Sequence, residues 1–412
     1  MKLLKSNQKR MRSCPVCSSE NSAIIDSIPI KTYDKHPMKN DYLVLYCSKC
    51  GFIFGDIGVD QFQLDNYYSQ LSKYEDENTV SVGAGGISLL DQTRLKDTVE
   101  IISAHIDKNA KILDVGCANG GLLKAFKNKN FSNLFGLDPS PTCSRRASQL
   151  VDCECLTGSI FDFDFRNEFD LITYTHVLEH IYSINEIIVK SKQAITEDGL
   201  IYIECPDAES YHINIHSPLQ EFNTEHINHF STQDFINIGK LYDLRIEEIG
   251  VRSFKIENGL DYFAAYVIYS KKKLPDQFYF QKSTKNLLSV NEYIYRSKKS
   301  LNTFSEYLNK INDKVCFYGI GQLAYKLIAL AQKQNKQLLL FDGDKRNVGE
   351  TISGVKIEIG SAIYDDINTS EDLVIITSAI SFQRIRKDII ELYKAKNTVC
   401  PRLVNISDLF TE

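Results

Sequence analysis

The sequence lacks the features that mark membrane-spanning, secreted or nucleic-acid-coating proteins. No apolar run approaches the ~18–20 residues that are needed to cross a bilayer. The first residues, Met1 to Met11, are basic but lack the apolar stretch of a secretory signal. The formal net charge of −5 provides no overall positive field to attract nucleic acid or anionic lipid. We therefore expect a cytoplasmic protein that binds neither nucleic acid nor membranes.

Cysteine is too scarce for a disulfide scaffold, with 11 residues in a chain of 412. Four of them nevertheless form two Cys-x-x-Cys pairs, Cys14 with Cys17 and Cys47 with Cys50. Zinc prefers tetrahedral thiolate ligands, and four thiolates leave no coordination position for water. We therefore expect a structural zinc site. Four unliganded thiols and a nucleic-acid-binding zinc ribbon are the alternatives, although few arginines cluster near the pairs.

The rest of the chain has an ordinary globular composition, 43% hydrophobic and 25% charged, and its length suggests two or three domains. Alternating strands and helices predict an α/β fold with a parallel, doubly wound sheet, followed by hairpin-like strands. A second strand–turn–helix begins at Val315 and predicts a smaller α/β unit. The expected segments are a strand–turn–helix at 111–127, strands at 134–138, 169–174 and 200–205, and a hairpin at 245–250 and 262–270.

Three domains are expected from these shifts in pattern. They are a zinc-binding module at 1–70, a central domain at 71–272 and a C-terminal domain at 273–412. The stretch from Lys271 to Pro275 provides the second boundary. Because the connecting segments are short, we expect a compact monomer.

The first glycine-rich turn carries the strongest chemical signal. Asp114, Gly116 and Gly120 follow a buried strand and open a helix, so that backbone N–H groups can approach a ligand closely. The carboxylate of Asp114 at the strand end would repel a pyrophosphate. It suits a cationic cofactor instead, such as the amino acid end of S-adenosylmethionine.

Further candidates for contact with this cofactor follow along the chain. Asp138 closes the second strand, where an acidic residue grips ribose hydroxyls. Ser159 and Ile160 are placed to line the adenine. Cys117 in the turn and His176 at the exit of the fourth strand complete the candidate set.

This stretch resembles a class I S-adenosylmethionine-dependent methyltransferase. Asp114, Gly116 and Gly120 occupy the cofactor-loop motif, whose middle glycine is Ala118 here. The Val-Leu-Glu-His run that ends at His180 is also common in that class. We expect Glu179 and His180 merely to order the cofactor pocket, with a functional role as the alternative.

The whole chain resembles the sugar C-methyltransferases of deoxysugar biosynthesis, which share its three-part order. That resemblance implies a nucleotide-sugar substrate and a Rossmann-like C-terminal domain that helps to bind it. It also implies catalytic roles for Glu225 and His226, and for a tyrosine after the zinc module, either Tyr68 or Tyr74. The alternatives are that His226 packs at the entry of a helix and that the tyrosines pack the zinc module onto the central domain. His229 is expected to be structural.

The implied reaction requires a base, because carbon becomes nucleophilic only when an adjacent ketone lets it form an enolate. Histidine suits the removal of the α-proton near neutral pH, with Glu225 orienting His226. A phenol or imidazolium would stabilise the oxyanion. The main alternative is methylation of a sugar hydroxyl or amine. A nucleic-acid-binding protein with a methyltransferase-like body is the third reading, which the acidic charge balance disfavours.

A second glycine-rich turn opens the C-terminal domain. Gly319 and Gly321 follow a strand, and Asp342 closes the next one. The pattern alone is a weak dinucleotide signal. The run from Phe341 to Gly354 resembles part of the last domain of the sugar C-methyltransferases. We therefore interpret the C-terminal domain as a nucleotide-sugar clamp. An NAD site and a purely structural lid are the alternatives. Lys345 and Arg346 are candidates to meet phosphates or simply face solvent.

Overall fold

The computed structural model describes residues 12–38, 41–70, 88–215, 217–255, 259–272, 281–367, 372–379 and 381–410. The chain divides into two compact units that are each discontinuous in sequence. The first unit comprises 1–24, 45–210 and 225–289, and the second 25–44, 211–224 and 290–412. The expected domain boundaries after residues 70 and 272 divide the chain in sequence order, whereas these two units do not. The three expected domains stay predictions. Within the described ranges, no helix is both long and apolar enough to cross a membrane.

In its described residues, the N-terminal segment contains three strands and one helix, and its third strand pairs with a distant part of the chain. The elements are β1 (Ser22–Ile28), β2 (Tyr42–Cys47), β3 (Ile53–Asp56) and α1 (Gln61–Gln70). β3 pairs antiparallel with the short strand β9 (Asn228–His229), so that Ile53 lies opposite His229. This pairing attaches the N-terminal segment to the chain directly after His226.

The main sheet of the first unit has seven strands. They are β4 (Ile112–Val115), β5 (Leu134–Asp138), β6 (Glu154–Thr157), β7 (Phe169–Thr175), β8 (Ile195–Pro206), β10 (Arg245–Lys255) and β11 (Asp261–Ser270). Their order in the sheet is β10-β11-β8-β7-β4-β5-β6. The strands β4 to β8 are parallel, whereas β11 pairs antiparallel with β8 and β10 with β11. This order confirms the predicted parallel sheet and its terminal hairpin.

In the described residues, five helices precede or connect these strands. They are α2 (Leu89–Ser103), α3 (Gly121–Asn128), α4 (Pro141–Val151), α5 (Ile184–Ala194) and α6 (Thr232–Leu241). Their apolar sides pack on the sheet; Leu95 and Phe126, for example, share one buried cluster with Ile112 and Tyr202. Because α3, α4 and α5 each return the chain to start another parallel strand, the carboxyl ends of β4, β5 and β7 meet at one edge.

The second unit has its own α/β sheet, as predicted. Its strands are β12 (Lys314–Tyr318), β13 (Gln337–Asp342), β14 (Thr351–Ile352), β15 (Val355–Ile359), β16 (Leu373–Ile376) and β17 (Arg402–Asn405). Their order is β14-β15-β13-β12-β16-β17, with all but β14 parallel. Starting from β12, the chain adds β13 and β15 on one side of this strand and β16 and β17 on its other side. The strand order therefore reverses between β12 and β16, and Rossmann-like sheets bind ligands at such a point. The helices are α7 (Lys285–Lys310), α8 (Gln322–Lys333), α9 (Ile363–Asp366) and α10 (Phe382–Ala395).

The two glycine-rich turns provide a matched test of local packing. Gly120 has φ +83°, and a Cβ there would lie 2.8 Å from the Cα of Ala147 in α4. Gly321 occupies the equivalent N-cap of α8 with φ −119° and no atom within 4 Å of such a Cβ. We predict that Gly120→Ala lowers the free energy of unfolding by about 1–3 kcal/mol, because of strain and overpacking.

Gly321→Ala serves as the control and should change stability by less than about 0.5 kcal/mol. Urea denaturation followed by circular dichroism measures both. Equal losses of stability would contradict this account of the first turn.

Candidate active site

A cavity of about 360 Å³ lies in the first unit at the carboxyl edge of its main sheet. Most of the residues that the sequence marked as functional line it. They are Tyr68, Asp114, Gly116, Cys117, Asp138, Ser159, Ile160, His176, Glu225 and His226. Gly120 does not line the cavity and instead packs α3 against α4. Tyr74 lies outside the described residues.

The carboxylate of Asp138 holds the glycine-rich turn in shape. One oxygen accepts the N–H of Ala118 at 2.8 Å and the other accepts the N–H of Ser140 at 2.9 Å. Ala118 adopts φ +45°, which explains why a glycine is usual there. Gly116 has φ +72°, and a Cβ on it would lie 2.5 Å from Val177.

Asp114 is fully buried at the end of β4, below this turn. Burial, together with the nearby charge of Asp138, raises the pKa of Asp114 to about 7, despite a hydrogen bond from Thr173 and the positive charge of Arg94. The Thr173 hydroxyl donates to Asp114 at 2.7 Å. A cation that reaches the cavity would therefore stabilise the ionised form of Asp114. The amino group of S-adenosylmethionine is such a cation.

Glu204 in β8 is a buried anion that the sequence analysis missed. It pairs with Arg252 at 2.6 Å, with Arg94 at 3.3 Å and with His176 at 3.3 Å. Tyr202 donates a further hydrogen bond at 2.7 Å. Burial opposes ionisation, but the hydrogen bond from His176 and the charge of Arg252 hold the pKa of Glu204 well below its usual range. A charged residue inside the otherwise apolar run from Leu200 to Cys205 was the available signal.

His176 links this network to the cavity. It adopts φ +56° at the end of β7, an uncommon conformation for a residue with a side chain. Its ring lies 3.4 Å from Glu179 and 3.3 Å from Glu204. Burial disfavours the imidazolium, but hydrogen bonds to these two carboxylates outweigh it and raise the pKa of His176.

A group of titratable side chains faces another part of the same cavity. The hydroxyl of Tyr68 lies 3.0 Å from Nδ1 of His180, which is also 2.9 Å from the backbone oxygen of Glu225. The rings of His180 and His226 lie 4.9 Å apart. The carboxylate of Glu225 accepts a hydrogen bond from Tyr67 at 2.9 Å. His180, expected only to order the pocket, therefore lies between Tyr68 and His226.

Glu179 supplies a negative charge beside both histidines of this group. It is buried, and donor atoms of Glu179, His180 and His226 all lie within 4.8 Å of one another. Burial opposes its ionisation, but the hydrogen bond from His176 and the nearby histidines lower the pKa of Glu179 to about 2. The carboxylate that can balance charge on His226 is thus Glu179, in addition to the predicted Glu225.

The segment that carries His226 is anchored by Arg12, a residue that the sequence analysis did not select. The buried guanidinium donates to the backbone oxygens of Ile227 at 3.0 Å and Gly55 at 3.1 Å. It also donates to the side chain of Asn228 at 2.7 Å. His229 is fully buried in β9, and burial holds its pKa well below the usual range, so its structural interpretation fits.

The four predicted metal ligands form a separate cluster. The sulfurs of Cys14 and Cys50 lie 3.5 Å apart, as do those of Cys17 and Cys47. The backbone oxygen of Cys14 accepts from the N–H of Ser18, and that of Cys47 accepts from Gly51, so both pairs form the same tight knuckle. Sulfur spacings of this size fit a tetrahedral ion with metal–sulfur bonds of about 2.3 Å.

Comparison with known proteins identifies the central part of the chain. Residues 90–249, from α2 into β10, match the sequence profile of a family described as "Methyltransferase domain". None of the curated proteins compared with the chain matches it.

Several solved structures resemble the same region. A SAM-dependent methyltransferase from Methanosarcina mazei is 16% identical, covers 42% of this chain and 96% of its own, and gives a TM-score of 0.36. The 1,6-didemethyltoxoflavin-N1-methyltransferase from Burkholderia thailandensis is 13% identical, covers 44% and 80%, and gives 0.35. Similarities of this size carry no information about the substrate.

The profile match, the strand order and the acidic cavity beside the glycine-rich turn define a class I methyltransferase fold. The chain accordingly carries a methyltransferase domain of the SAM-dependent class over residues 90–249.

The raised pKa of Asp114 leads to a pH-dependent cofactor affinity. A carboxyl group with a pKa of about 7 is neutral below that pH, and the cofactor's amino group favours the ionised form. We predict that affinity for S-adenosylmethionine rises by up to about tenfold per pH unit as the pH approaches 7 from below, and that binding there releases a proton.

Isothermal titration calorimetry in buffers of different ionisation enthalpy measures both effects. Asp114→Asn should bind more weakly and lose most of this pH dependence. The same pH dependence in wild type and variant would refute the assignment to Asp114.

Proposed function

We propose that the protein transfers a methyl group to carbon in a nucleotide-activated keto-deoxysugar, through an enolate of the sugar. The observation that carries this proposal is the convergence of Tyr68, His180, Glu225 and His226 on the cofactor cavity. Acid–base groups in such number exceed what cofactor binding needs. They suit a reaction in which a proton leaves carbon and charge builds up on an adjacent oxygen.

In this proposal His226 removes the α-proton of the sugar ketone. Glu179 and Glu225 stabilise the imidazolium that forms, because each carboxylate lies near the ring or its neighbour. S-adenosylmethionine supplies the electrophilic methyl group on its sulfonium. The roles left to the protein are to hold the sugar carbon in line with that methyl and to exclude water from the enolate.

Tyr68 and His180 are the proposed partners of the enolate oxygen. Nδ1 of His180 lies 2.9 Å from the backbone oxygen of Glu225, which can only accept, so this nitrogen carries the hydrogen and donates. The Tyr68 oxygen, 3.0 Å from the same nitrogen, can then accept from it and keep its own proton for the enolate oxygen. A hydrogen bond from the phenol to the developing oxyanion would strengthen as the charge grows.

The second unit is the proposed clamp for the nucleotide. Its turn repeats the hydrogen bonds of the cofactor turn: Asp342 accepts from the N–H of Ile320 at 2.7 Å and from that of Asp344 at 2.9 Å. Asp138 makes the equivalent pair of contacts in the first unit. Arg346, a candidate for phosphate contact, already pairs with Asp344.

We also propose that the cysteine cluster holds a structural zinc ion. With four thiolates and no position left for water, the ion would be structural and would join the chain before β1 to the end of β2 and the turn that follows it. Through β3, the N-terminal segment supports the chain next to His226.

The enolate proposal predicts hydrogen exchange at carbon. Wild-type enzyme, incubated in heavy water with a panel of nucleotide-linked 3-keto and 4-keto deoxysugars, should introduce deuterium next to the ketone of its substrate. His226→Ala should slow this exchange by at least about 100-fold, since a positioned base contributes that much. Mass spectrometry of the recovered sugar measures it.

His105→Ala is the matched control, because His105 pairs with Glu248 and does not line the cavity. It should exchange at the wild-type rate. If His226→Ala exchanged deuterium at the wild-type rate, His226 would not be the base. Methylation of a hydroxyl or amine would then become the better explanation.

The zinc proposal predicts about one zinc ion per chain by elemental analysis. Cys47→Ser should lose this zinc and melt at a lower temperature, whereas Cys400→Ser, outside the cluster, should retain it. A wild-type protein that is folded and active without bound metal would contradict the proposal.

A further inference from the structure

Glu179 is a buried carboxylate whose two oxygens lack well-aligned hydrogen bonds. The residue is 1% exposed and lines the cavity. Among the described residues, no donor forms a hydrogen bond of good geometry with either oxygen, and Nδ1 of His176 makes only a long contact of 3.4 Å. Buried carboxylates are normally matched by closely bonded donors or by a metal ion. The oxygens of Glu179 are therefore available to a ligand in the cavity.

Two histidines complete a set of three possible metal ligands around this carboxylate. Donor atoms of Glu179, His180 and His226 all lie within 4.8 Å of one another. Nε2 of His180 is 3.9 Å from one oxygen of Glu179. Ligand atoms that share one ion at about 2.1 Å lie about 3–4 Å apart. Small side-chain rotations therefore suffice to bring the three donor atoms to one ion.

The other ring nitrogen of His180 is already engaged in the way that is usual for a metal-bound histidine. Nδ1 lies 2.9 Å from the backbone oxygen of Glu225, which can only accept, so Nδ1 carries the hydrogen. Nε2 then has a lone pair beside Glu179. Histidine ligands commonly donate their second N–H to a carbonyl or carboxylate oxygen, which fixes the tautomer. The tautomer of His180 thus suits a metal ligand.

Hydrogen bonds to the backbone fix the two segments that carry these ligands. The N–H of Ile227 donates to the backbone oxygen of Glu179 at 2.8 Å. The side chain of Asn228 donates to the backbone oxygen of Leu178 at 2.7 Å. His226 is thereby held next to the turn that carries Glu179. Because the segments are already ordered, little conformational entropy remains to be lost when an ion binds.

The cavity attracts cations and leaves a bound ion open coordination positions. Arg94 is the one arginine or lysine among its described lining residues. The carboxylates of the lining are Asp65, Asp91, Asp114, Asp138, Glu179 and Glu225. Three protein ligands leave at least one position for water or a substrate oxygen, unlike the closed cysteine cluster.

We propose that Glu179, His180 and His226 bind a divalent first-row transition-metal ion such as Zn²⁺, in a second metal site distinct from the cysteine cluster. Two imidazoles and a carboxylate suit such ions, whereas Mg²⁺ and Ca²⁺ prefer oxygen ligands alone. The bound ion takes the lone pair with which His226 is proposed to remove the α-proton, and so inhibits the enzyme reversibly. This inhibition rests on the proposed function, whereas the binding site does not.

The probe for binding is Co²⁺, which accepts the ligands of zinc and reports them in its absorption spectrum. Thiolate ligands give Co²⁺ an intense near-ultraviolet band, whereas a site of nitrogen and oxygen ligands has visible bands without it. The two metal sites are therefore distinguished. Full-length wild type without a histidine tag, titrated with Co²⁺ in the absence of sugar and cofactor, should develop the visible bands of a nitrogen–oxygen site.

Glu179→Gln should weaken this Co²⁺ binding by at least about 100-fold, because the loss of an outer-shell partner alone costs about 10- to 100-fold. Glu225→Gln is the matched control, since it makes the same change in the same cavity but lies outside the ligand group. It should weaken binding by less than about tenfold, the effect of one lost charge nearby. His180→Ala should also abolish the site and covers the case in which Glu179→Gln fails to fold.

Inhibition is measured by deuterium exchange of the ketosugar substrate with and without Co²⁺. At a Co²⁺ concentration of about ten times its dissociation constant, simple occupancy predicts that wild-type exchange falls to about one tenth. Exchange should recover when a chelator equimolar with the added Co²⁺ removes the ion.

A wild type without the visible bands would overturn the metal site, and so would equal weakening by Glu179→Gln and Glu225→Gln. Exchange that continues at full rate or rises with Co²⁺ bound would overturn the inhibition. A wild type that shows no exchange even without Co²⁺ would refute the proposed function instead, and the binding titration would still decide the metal site.

Discussion

The site depends on keeping carboxylates buried at the carboxyl edge of a parallel sheet. Asp114, Asp138 and Glu204 lie at or near the ends of three strands, and Glu179 follows a fourth. Burying an ion without a partner costs several kcal/mol, so each carboxylate must be matched locally. Asp138 is matched by backbone N–H groups, Glu204 by two arginines and Glu179 by histidines. Asp114 is matched least well, and the cofactor's amino group is its proposed partner.

The same edge becomes an active site because distant parts of the chain are attached to it. Arg12 and the β3–β9 pairing hold the segment around residue 227 against the N-terminal strands. Tyr67 and Tyr68 follow in α1, where they reach Glu225 and His180. In the proposed mechanism the cysteine cluster therefore acts through the position of His226, and the cluster itself lies outside the cavity.

The features of the fold and the site that depend on local residue spacing could be predicted from the sequence. The two Cys-x-x-Cys pairs, the glycine-rich turn and the acidic residue that ends β5 each reflect a backbone geometry that only a few residue types permit. The sheet followed from alternating apolar strands and helices, because that periodicity records burial directly. Glu225 and His226 were found only through resemblance to a family.

What could not be predicted depends on contacts between residues far apart in the chain. Arg12 and Ile227 are 215 positions apart, and Arg94 and Glu204 are 110 apart. No local pattern distinguishes such residues from other charged ones until the fold brings them together. Ala118 is a smaller case: its left-handed backbone is held by Asp138, so the motif persists without its middle glycine.

The most direct test of the account is the atom to which the methyl group is transferred. The enzyme would be supplied with S-adenosylmethionine carrying a carbon-13 methyl and with the nucleotide-linked ketosugar that shows exchange. Two-dimensional NMR of the product then identifies the atom bonded to the labelled methyl. The account predicts a one-bond coupling between this methyl and a ring carbon next to the ketone. A methyl bonded to oxygen or nitrogen would contradict it.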